Sequence, residues 1–190
     1  MRVLRNRDYR RMPWKNGGGE TMEIAVQPPD ASLAAFGWRI SLARVDRSGP
    51  FSRFPGIDRT LSIVQGEGLE LAVEGYSPVM LGRDSEPFKF PGDTATIATL
   101  VRGPVMDLNV MTRRGLHRHT MERHRDVGPW ELRLRAAITG IVVADGIVEI
   151  NCAGQNATLN ALDSALIAQS SVMASLSTTR PAEIVLIEID

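Results

Sequence analysis

Cysteine is nearly absent from this chain of 190 residues, since Cys152 is its single thiol. One cysteine cannot form an internal disulfide, and it gives no reason to expect a structural zinc site. Long hydrophobic runs are also absent, and the arginine-rich start has no apolar segment typical of a signal peptide. We therefore expect a cytoplasmic protein without a membrane partner.

Net charge is absent too, because 22 basic and 22 acidic side chains cancel. This balance argues against a chain-wide surface for nucleic-acid phosphates. The distribution is uneven: residues 1–15 carry six cations against Asp8, and residues 140–190 carry Arg180 against six carboxylates. A basic start is also compatible with an RNA or DNA arm, but no stacking aromatics are interleaved with it. We expect no nucleic-acid partner.

Recognisable catalytic motifs are missing as well. The sequence has no Walker-type phosphate loop, no Gly-x-Ser-x-Gly elbow and no Cys-His pairing. All three histidines fall between positions 117 and 124, so the usual acid–base residue is absent from the rest of the chain. No catalytic activity is indicated by these patterns.

A glycine-rich run, Met12-Pro13-Trp14-Lys15-Asn16-Gly17-Gly18-Gly19, is the most informative feature that is present. Glycine reaches positive φ and lets other groups approach the backbone closely. The run is compatible with a loop that holds a small polar ligand, with Lys15 and Asn16 supplying charge and hydrogen bonds. It is equally compatible with a tight turn before the first long strand.

The hydrophobic periodicity is that of short strands with turn residues every eight to twelve positions, which predicts an all-β chain. Helices are scarce, with at most one helical turn near 31–36. Alternation predicts strands over 21–26, 38–43, 61–64, 69–73, 79–81, 96–101, 105–111, 130–138, 147–152, 158–162, 165–168 and 183–189.

One predicted strand, 105–111, carries two polar side chains on a single face. Asp107 and Asn109 alternate with Met106, Leu108 and Val110. In a barrel the two polar groups would either lie at the bottom of a polar cavity or point into solvent, and alternation does not choose between these.

The segment 51–60 precedes another strand and combines two phenylalanines, two arginines and an aspartate. Arg59 beside Asp58 is compatible with a structural ion pair. In the functional interpretation Arg59 faces a cavity and holds a carboxylate, which its planar fork matches, while Asp58 orients it.

A basic stretch, 113–125, interrupts the strand pattern and holds His117, His119 and His124. Two imidazoles and Glu122 could bind a metal ion, but the five arginines of this stretch oppose cation binding. We expect no metal here, and we interpret the stretch as the boundary between two β modules.

Three motifs resemble the HutD/Ves family of bacterial proteins: Pro13 to Thr21, Phe51 to Leu61, and Phe88 to Asp93 together with Gly103 to Met111. The resemblance implies a bicupin, that is, two RmlC-like jelly-roll β-barrels in one chain. We expect a first barrel over 1–115, whose N-terminal strands could pair with the second, and a smaller second barrel over 116–190.

The metal-binding cupin pattern can be placed on the chain with Gly49 and Gly68 at its two glycine positions. Its ligand positions then hold Pro55, Ile57 and Leu61, which cannot replace the histidines and glutamate. We therefore expect neither a metal nor another cofactor, and no dioxygenase chemistry.

Binding of a small anionic metabolite is what the resemblance implies instead, with formylglutamate as the favoured candidate. It points to eight residues around the mouth of the first barrel: Trp14, Lys15, Asn16, Arg39, Asp58, Arg59, Asp107 and Asn109. Lys15 and Arg59 would hold carboxylates, and Arg39 would do so if the face of its strand is interior. Asn16 and Asn109 would bind amide or formyl groups, and Trp14 would form a wall.

Three functions stay open at this point. The first is a non-enzymatic ligand-binding bicupin that regulates histidine utilisation. The second is a metal-independent isomerase or epimerase, which would need Lys15 with Asp58 or Asp107 as acid and base. The third is a scaffold that acts through protein contacts, and a homodimer is compatible with each.

Overall fold

The computed structural model describes residues 1–125 and 128–190, which form an all-β structure as predicted. The first strands are β1 (Arg2–Leu4), β2 (Arg10–Pro13), β3 (Gly19–Gln27), β4 (Trp38–Val45), β5 (Gly49–Pro50), β6 (Ile57–Gln65), β7 (Leu69–Val73), β8 (Val79–Leu81), β9 (Phe88–Pro91), β10 (Thr96–Leu100) and β11 (Val105–Arg113). A 3-10 turn, Asn6–Asp8, separates the first two.

The remaining strands are β12 (His119–His124), β13 (Trp130–Leu134), β14 (Ile138–Asp145), β15 (Ile147–Cys152), β16 (Gln155–Asn160), β17 (Ser164–Ile167), β18 (Val172–Ser177) and β19 (Glu183–Ile189). Among the described residues, no helix has the length and apolar character needed to cross a membrane.

The chain divides into two compact units, one formed by 10–118 and the other by 1–9 with 119–190. Each unit contains two antiparallel sheets, and no closed barrel is found among the described strands. The arrangement of two jelly-roll barrels therefore stays a prediction.

In the unit 10–118, a six-stranded sheet has the order β2-β3-β4-β11-β6-β9 and a four-stranded sheet the order β5-β10-β7-β8. An apolar cluster joins the two sheets, with Leu61 and Ile63 of β6 packed in the same cluster as Leu69 and Leu71 of β7. Strand β11 lies between β4 and β6, so its side chains have neighbours from both.

The cross-strand register brings polar positions together on one face of the six-stranded sheet. Asn109 of β11 is opposite Ser41 of β4, and Met111 is opposite both Arg39 of β4 and Arg59 of β6. Because side chains alternate between faces, Asp107 and Asn109 share a face with these partners. The strands β4 and β11 are buried at nearly every position, so Asp107 and Asn109 do not point into solvent.

In the unit formed by 1–9 and 119–190, the sheet orders are β1-β17-β14-β19-β12 and β13-β18-β15-β16. The sequence predicted that the stretch 113–125 interrupts the strand pattern, and this was wrong for residues 119–124, which form strand β12. It pairs with β19 from His119 opposite Ile189 to His124 opposite Ile184. The alternation was hidden because the buried position 123 is an arginine, which is paired with Glu183.

Candidate functional site

A cavity of about 490 Å³ opens in the unit 10–118. Its lining residues come from β2 to β4, β6, β11 and the intervening segments: Met12, Pro13, Trp14, Lys15, Asn16, Thr21, Leu33, Arg39, Ser41, Ala43, Pro50, Phe51, Ser52, Phe54, Arg59, Asp107, Asn109 and Met111. We call the buried members of this set the floor and the exposed members the mouth. The floor is polar and charged, which is unusual for the interior of a β-sheet protein.

Arg59 is the central cation of the floor and is only 5% exposed. Its guanidinium carbon lies 5.2 Å from the ring centre of Phe51, 5.8 Å from that of Phe54 and 5.1 Å from that of Phe90. Three aromatic rings at these distances attract a cation and limit its movement. Its Nη2 donates a 2.7 Å hydrogen bond to Oδ1 of Asn109.

Burial lowers the pKa of Arg59 to about 10, with the neighbouring charge of Asp107 acting in the opposite direction and that of Arg39 adding to the decrease. The guanidinium therefore remains charged at neutral pH. Its Nε has no hydrogen-bond partner within the described part of the chain. A buried donor without a partner is costly, so this atom is suited to an acceptor brought by a ligand.

Asp107 is completely buried at the floor. Its Oδ1 accepts a hydrogen bond from Nδ2 of Asn109, and its Oδ2 has no partner among residues 1–125 and 128–190. Burial raises the pKa of Asp107 from its ordinary value of 3.8 to about 7, although the charge of Arg59 opposes this. The carboxyl group thus lies close to the midpoint of its titration at neutral pH.

Arg39 is the second buried cation of the floor, as expected if the face of its strand is interior. Its Nε donates a 2.8 Å hydrogen bond to Oε2 of Glu23 on the neighbouring strand β3, and both side chains are largely buried. The charge of Arg39 is therefore already balanced by Glu23, whereas Arg59 has no direct carboxylate partner in the described residues.

The glycine-rich run forms a tight turn between β2 and β3 and also supplies the mouth of the cavity. The Trp14 N–H donates to the Gly19 carbonyl at 2.9 Å, and the Trp14 indole donates to Thr21 at 2.9 Å. Only glycine fits at position 19, because a Cβ there would lie 2.0 Å from the Arg44 carbonyl oxygen. The structure thus shows the tight turn that the sequence allowed, and the turn lines the cavity, while its role as a ligand loop stays a prediction.

Seven of the eight residues selected from the sequence line this cavity, and Asp58 does not. Asp58 precedes Arg59 on β6, so its side chain points to the opposite face. It pairs with Arg114, whose Nε lies 2.9 Å from the Asp58 Oδ1. The partner that orients Arg59 is Asn109 and not Asp58.

Glu23 and the aromatic residues around Arg59 were missed by the sequence interpretation. Glu23 shares the alternation of Thr21 on β3, which would have indicated the correct face. Phe51 and Phe54 lie within a motif that was recognised, but their position beside Arg59 follows only from the folding of the segment 51–54 over β6.

The histidine stretch supplies none of the lining residues of this cavity. On β12, His119 is buried while His124 points to the other face and lies 4.5 Å from the Trp130 ring. In the part of the chain that the structure describes, no group of three or more histidine, cysteine, aspartate and glutamate side chains is arranged to hold a metal ion.

The model of the HutD family matches residues 6–186. A 21.2 kDa protein from the hutC 3′ region of Pseudomonas putida is 35% identical over 161 residues, which is 82% of this chain and 80% of that protein. Protein Ves of Citrobacter koseri is 43% identical over 112 residues, which is 56% of each chain.

Solved structures show the same likeness. A conserved protein of Pseudomonas aeruginosa PAO1 superposes with a TM-score of 0.89 at 35% identity, covering 100% of this chain and 98% of that one. HutD from Pseudomonas fluorescens SBW25 gives a TM-score of 0.80 at 29% identity, covering 99% and 97%. A cupin 2 barrel-domain protein from Leptotrichia buccalis, at 12% identity, a TM-score of 0.61 and coverage of 90% and 88%, shares the fold alone.

Proposed function

This chain belongs to the HutD family, and on that premise we propose that its cavity binds a small carboxylate metabolite, such as formylglutamate, in the regulation of histidine utilisation. The single observation that carries the proposal is the buried guanidinium of Arg59. It is a cation in a cavity, held by three aromatic rings and Asn109, with an Nε that has no partner within the described residues.

A carboxylate is the ligand class that suits this cation best. The guanidinium fork matches two carboxylate oxygens, and hydrogen bonds between charged groups are roughly twice as strong as neutral ones. Because Arg39 is already paired with Glu23, Arg59 is the cation of the floor that a ligand carboxylate would meet, and Asp107, with a pKa near 7, balances it only in part. A ligand carboxylate would lie beside Arg59 with the Phe51 ring as a neighbour.

Lys15 supports a ligand with a second carboxylate. It lines the mouth and is exposed. A dicarboxylate would place one group at Arg59 and the other near Lys15, with Trp14 along its connecting chain. The cavity volume of about 490 Å³ lies within the usual range for small-molecule sites.

The link to histidine utilisation comes from the relatives. The Pseudomonas putida protein is encoded in the hutC 3′ region, and the Pseudomonas fluorescens protein is named HutD. We infer a related role for this chain, in which the ligand would be an intermediate of amino-acid breakdown. The proposed binding uses no metal, since Pro55, Ile57 and Leu61 occupy the usual cupin ligand positions.

A metal-independent isomerase is the second candidate, and one observation favours it. Asp107 has a pKa raised to about 7 by burial, and such a carboxyl group can serve as acid or base near neutral pH. A proton-transfer reaction would need a second group on the other side of the substrate, for which Lys15 is available at the mouth.

Thermal-shift screening of purified, chelator-treated protein tests the proposal. Formylglutamate, urocanate, histidine, glutamate, simple sugars and divalent metals would be compared for the wild type and for Lys15→Ala and Arg59→Ala. Arg44→Ala is the matched control, because Arg44 is exposed on β4, is paired with Asp46 and does not line the cavity.

The expected result is a carboxylate-selective rise in melting temperature that is lost in Arg59→Ala and kept in Arg44→Ala. Recovery of the ligand unchanged after incubation supports binding without turnover, and conversion of the ligand supports the isomerase. A shift given only by metals, or an equal shift in Arg59→Ala, contradicts the proposal.

A further inference from the structure

We propose that Asp107 is a specificity-determining residue of the cavity and takes up one proton when a carboxylate binds beside Arg59. This inference rests on the proposed function, because it concerns the same ligand class in the same cavity. It assigns to the floor a group that changes its charge on binding.

The geometry of Asp107 provides the first argument. Its side chain lines the cavity and is completely buried. Asn109 occupies Oδ1 and leaves Oδ2 without a partner among the described residues. Arg59, which hydrogen-bonds the same Asn109, also lines the cavity, and its buried Nε has no partner in the described part of the chain. The floor thus holds one donor and one carboxyl oxygen that are both buried and unpartnered among those residues.

The charges around Asp107 provide the second argument. Arg59 of β6 is the charge that acts on Asp107, and Arg39 of β4 lines the same cavity, where it is balanced by Glu23 of β3. The glycine-rich turn contributes the exposed Lys15 at the mouth. Strand β11 itself adds only the neutral Asn109 and Met111 to the lining, and the segment 50–54 adds no charge to it.

When a carboxylate binds, the ligand and the ionised Asp107 would therefore be two anions beside a single cation, Arg59, in a buried site. Two buried carboxylates that share a site do not both remain ionised, because each raises the pKa of the other. Uptake of one proton from solvent by Asp107 removes the repulsion between the two carboxylates. The neutral Asp107 then donates from Oδ2 to one ligand oxygen, while Arg59 donates from Nε to the other.

This protonation of Asp107 requires little free energy at neutral pH. Burial raises the pKa of Asp107 to about 7 in the ligand-free protein, whereas Arg59, with a pKa of about 10, keeps its charge up to pH 8.5. A ligand that presents an amide N–H at the floor would instead donate a hydrogen bond to the ionised Asp107. Such a ligand would bind without proton uptake, so the proton count distinguishes the two ligand chemistries.

Calorimetric titration of the full chain with N-formyl-L-glutamate and with glutarate, whose own carboxylates are ionised above pH 6, tests the proposal. Titrations at each pH in two non-anionic buffers that differ in ionisation enthalpy give the number of protons taken up. We expect about 0.1 proton at pH 6 and about 0.9 at pH 8, by linkage to a group that titrates near 7. The affinity should fall about fivefold from pH 7 to pH 8 and approach a tenfold fall per pH unit above that.

Asp107→Asn is the decisive variant, because asparagine has the same shape and a permanent donor. It should bind both probes with the affinity of the wild type at pH 6, and that affinity should stay constant to pH 8.5. Glu70→Gln, which removes an exposed carboxylate of β7 outside the cavity, should keep the wild-type pH dependence. The proton count in the wild type gives the same test if Asp107→Asn does not fold.

The outcomes separate this inference from the proposed function. Binding of glutarate, which has no N–H, at Arg59 with no proton uptake and constant affinity from pH 6 to 8.5 overturns the role of Asp107 and leaves carboxylate binding intact. Failure of both probes to bind at every pH overturns both. A wild-type pH dependence that persists in Asp107→Asn also overturns the role of Asp107.

Discussion

Arg59 and Asn109 lie on the adjacent strands β6 and β11, and the Arg59 Nη2 donates a 2.7 Å hydrogen bond to the Asn109 Oδ1. The other end of the same amide donates to Asp107, so one neutral side chain orients both charged groups of the floor. The two residues are 50 positions apart in the chain. The connection therefore depends on the pairing of β6 with β11.

Replacement of Asn109 by alanine is expected to lower the free energy of unfolding by about 1–3 kcal/mol, because it leaves Arg59 and Asp107 buried with unpaired polar atoms. Urea denaturation followed by tryptophan fluorescence would measure the change. Asn156→Ala, on an exposed position of β16 where the side chain accepts a hydrogen bond from Asn151, should change stability by less than about 0.5 kcal/mol. Equal effects of the two variants would contradict the importance of the buried amide.

Replacement of Arg59 by lysine should weaken carboxylate binding by about 10- to 100-fold, although the positive charge is retained. Lysine lacks the planar fork and the ring contacts that hold the guanidinium, and a hydrogen bond to a charged group contributes about 1.5–3 kcal/mol. Calorimetric titration with N-formyl-L-glutamate would measure the loss. Arg44→Lys, at the exposed pair with Asp46, should bind as the wild type does.

Lys15→Ala should weaken the binding of a dicarboxylate by less than about fivefold, because an exposed charge contributes at most about 1 kcal/mol. This loss should disappear in 0.5 M salt, which screens exposed charges, whereas the effect of Arg59→Lys should persist. Titrations at low and high salt would test the contrast. A large, salt-independent loss in Lys15→Ala would show that Lys15 is buried by the ligand.

The stability of the ligand-free protein should depend on Asp107 between pH 4.5 and 7.5. Its pKa is about 7 in the folded protein and 3.8 as its ordinary value, so the folded state binds more protons in this range. Unfolding free energy therefore falls as pH rises, by roughly 3 kcal/mol for this group. Asp107→Asn should remove that decrease.

Urea denaturation of the wild type and of Asp107→Asn at both pH values would measure this difference, since the other titrating groups contribute equally to both proteins. Asp93, whose pKa is lowered mainly by its hydrogen bond from Arg114, acts in the opposite direction and below this range. An equal change of unfolding free energy between pH 4.5 and pH 7.5 in both proteins would show that Asp107 is ionised in the folded state over this whole range.

Asp163→Ala should lower the unfolding free energy of the unit that contains β1 by about 2–4 kcal/mol, because several hydrogen bonds to one buried carboxylate are lost. Asp163 accepts bonds from the Asn6 N–H at 2.9 Å, from Arg5 at 2.8 Å and from the Asn160 N–H at 3.1 Å. Burial alone would raise the pKa of Asp163, but these bonds outweigh it and lower the pKa. Thermal denaturation at pH 7 would measure the loss, and the exposed Asp8→Ala should change little.

Much of the site could be predicted from local sequence patterns. The alternation of β11 placed Asp107 and Asn109 on one face, and the family motifs selected Arg59 and the glycine-rich turn. The same alternation could have excluded Asp58, because adjacent residues of a strand point to opposite faces. Its pairing with Arg114 was not predictable, since 56 positions separate the two residues.

The sequence by itself determined the all-β class and the sets of residues that share a face, because both depend on a period of two along each strand. Only the tertiary structure decided that the face with Asp107, Asn109 and Arg59 lies inside, since sheet pairing over long separations determines what covers a strand. Burial is also what raises the pKa of Asp107 and leaves the Arg59 Nε without a hydrogen-bond partner among the described residues. The chemistry of this site is thus a property of the packed sheets and not of any single segment.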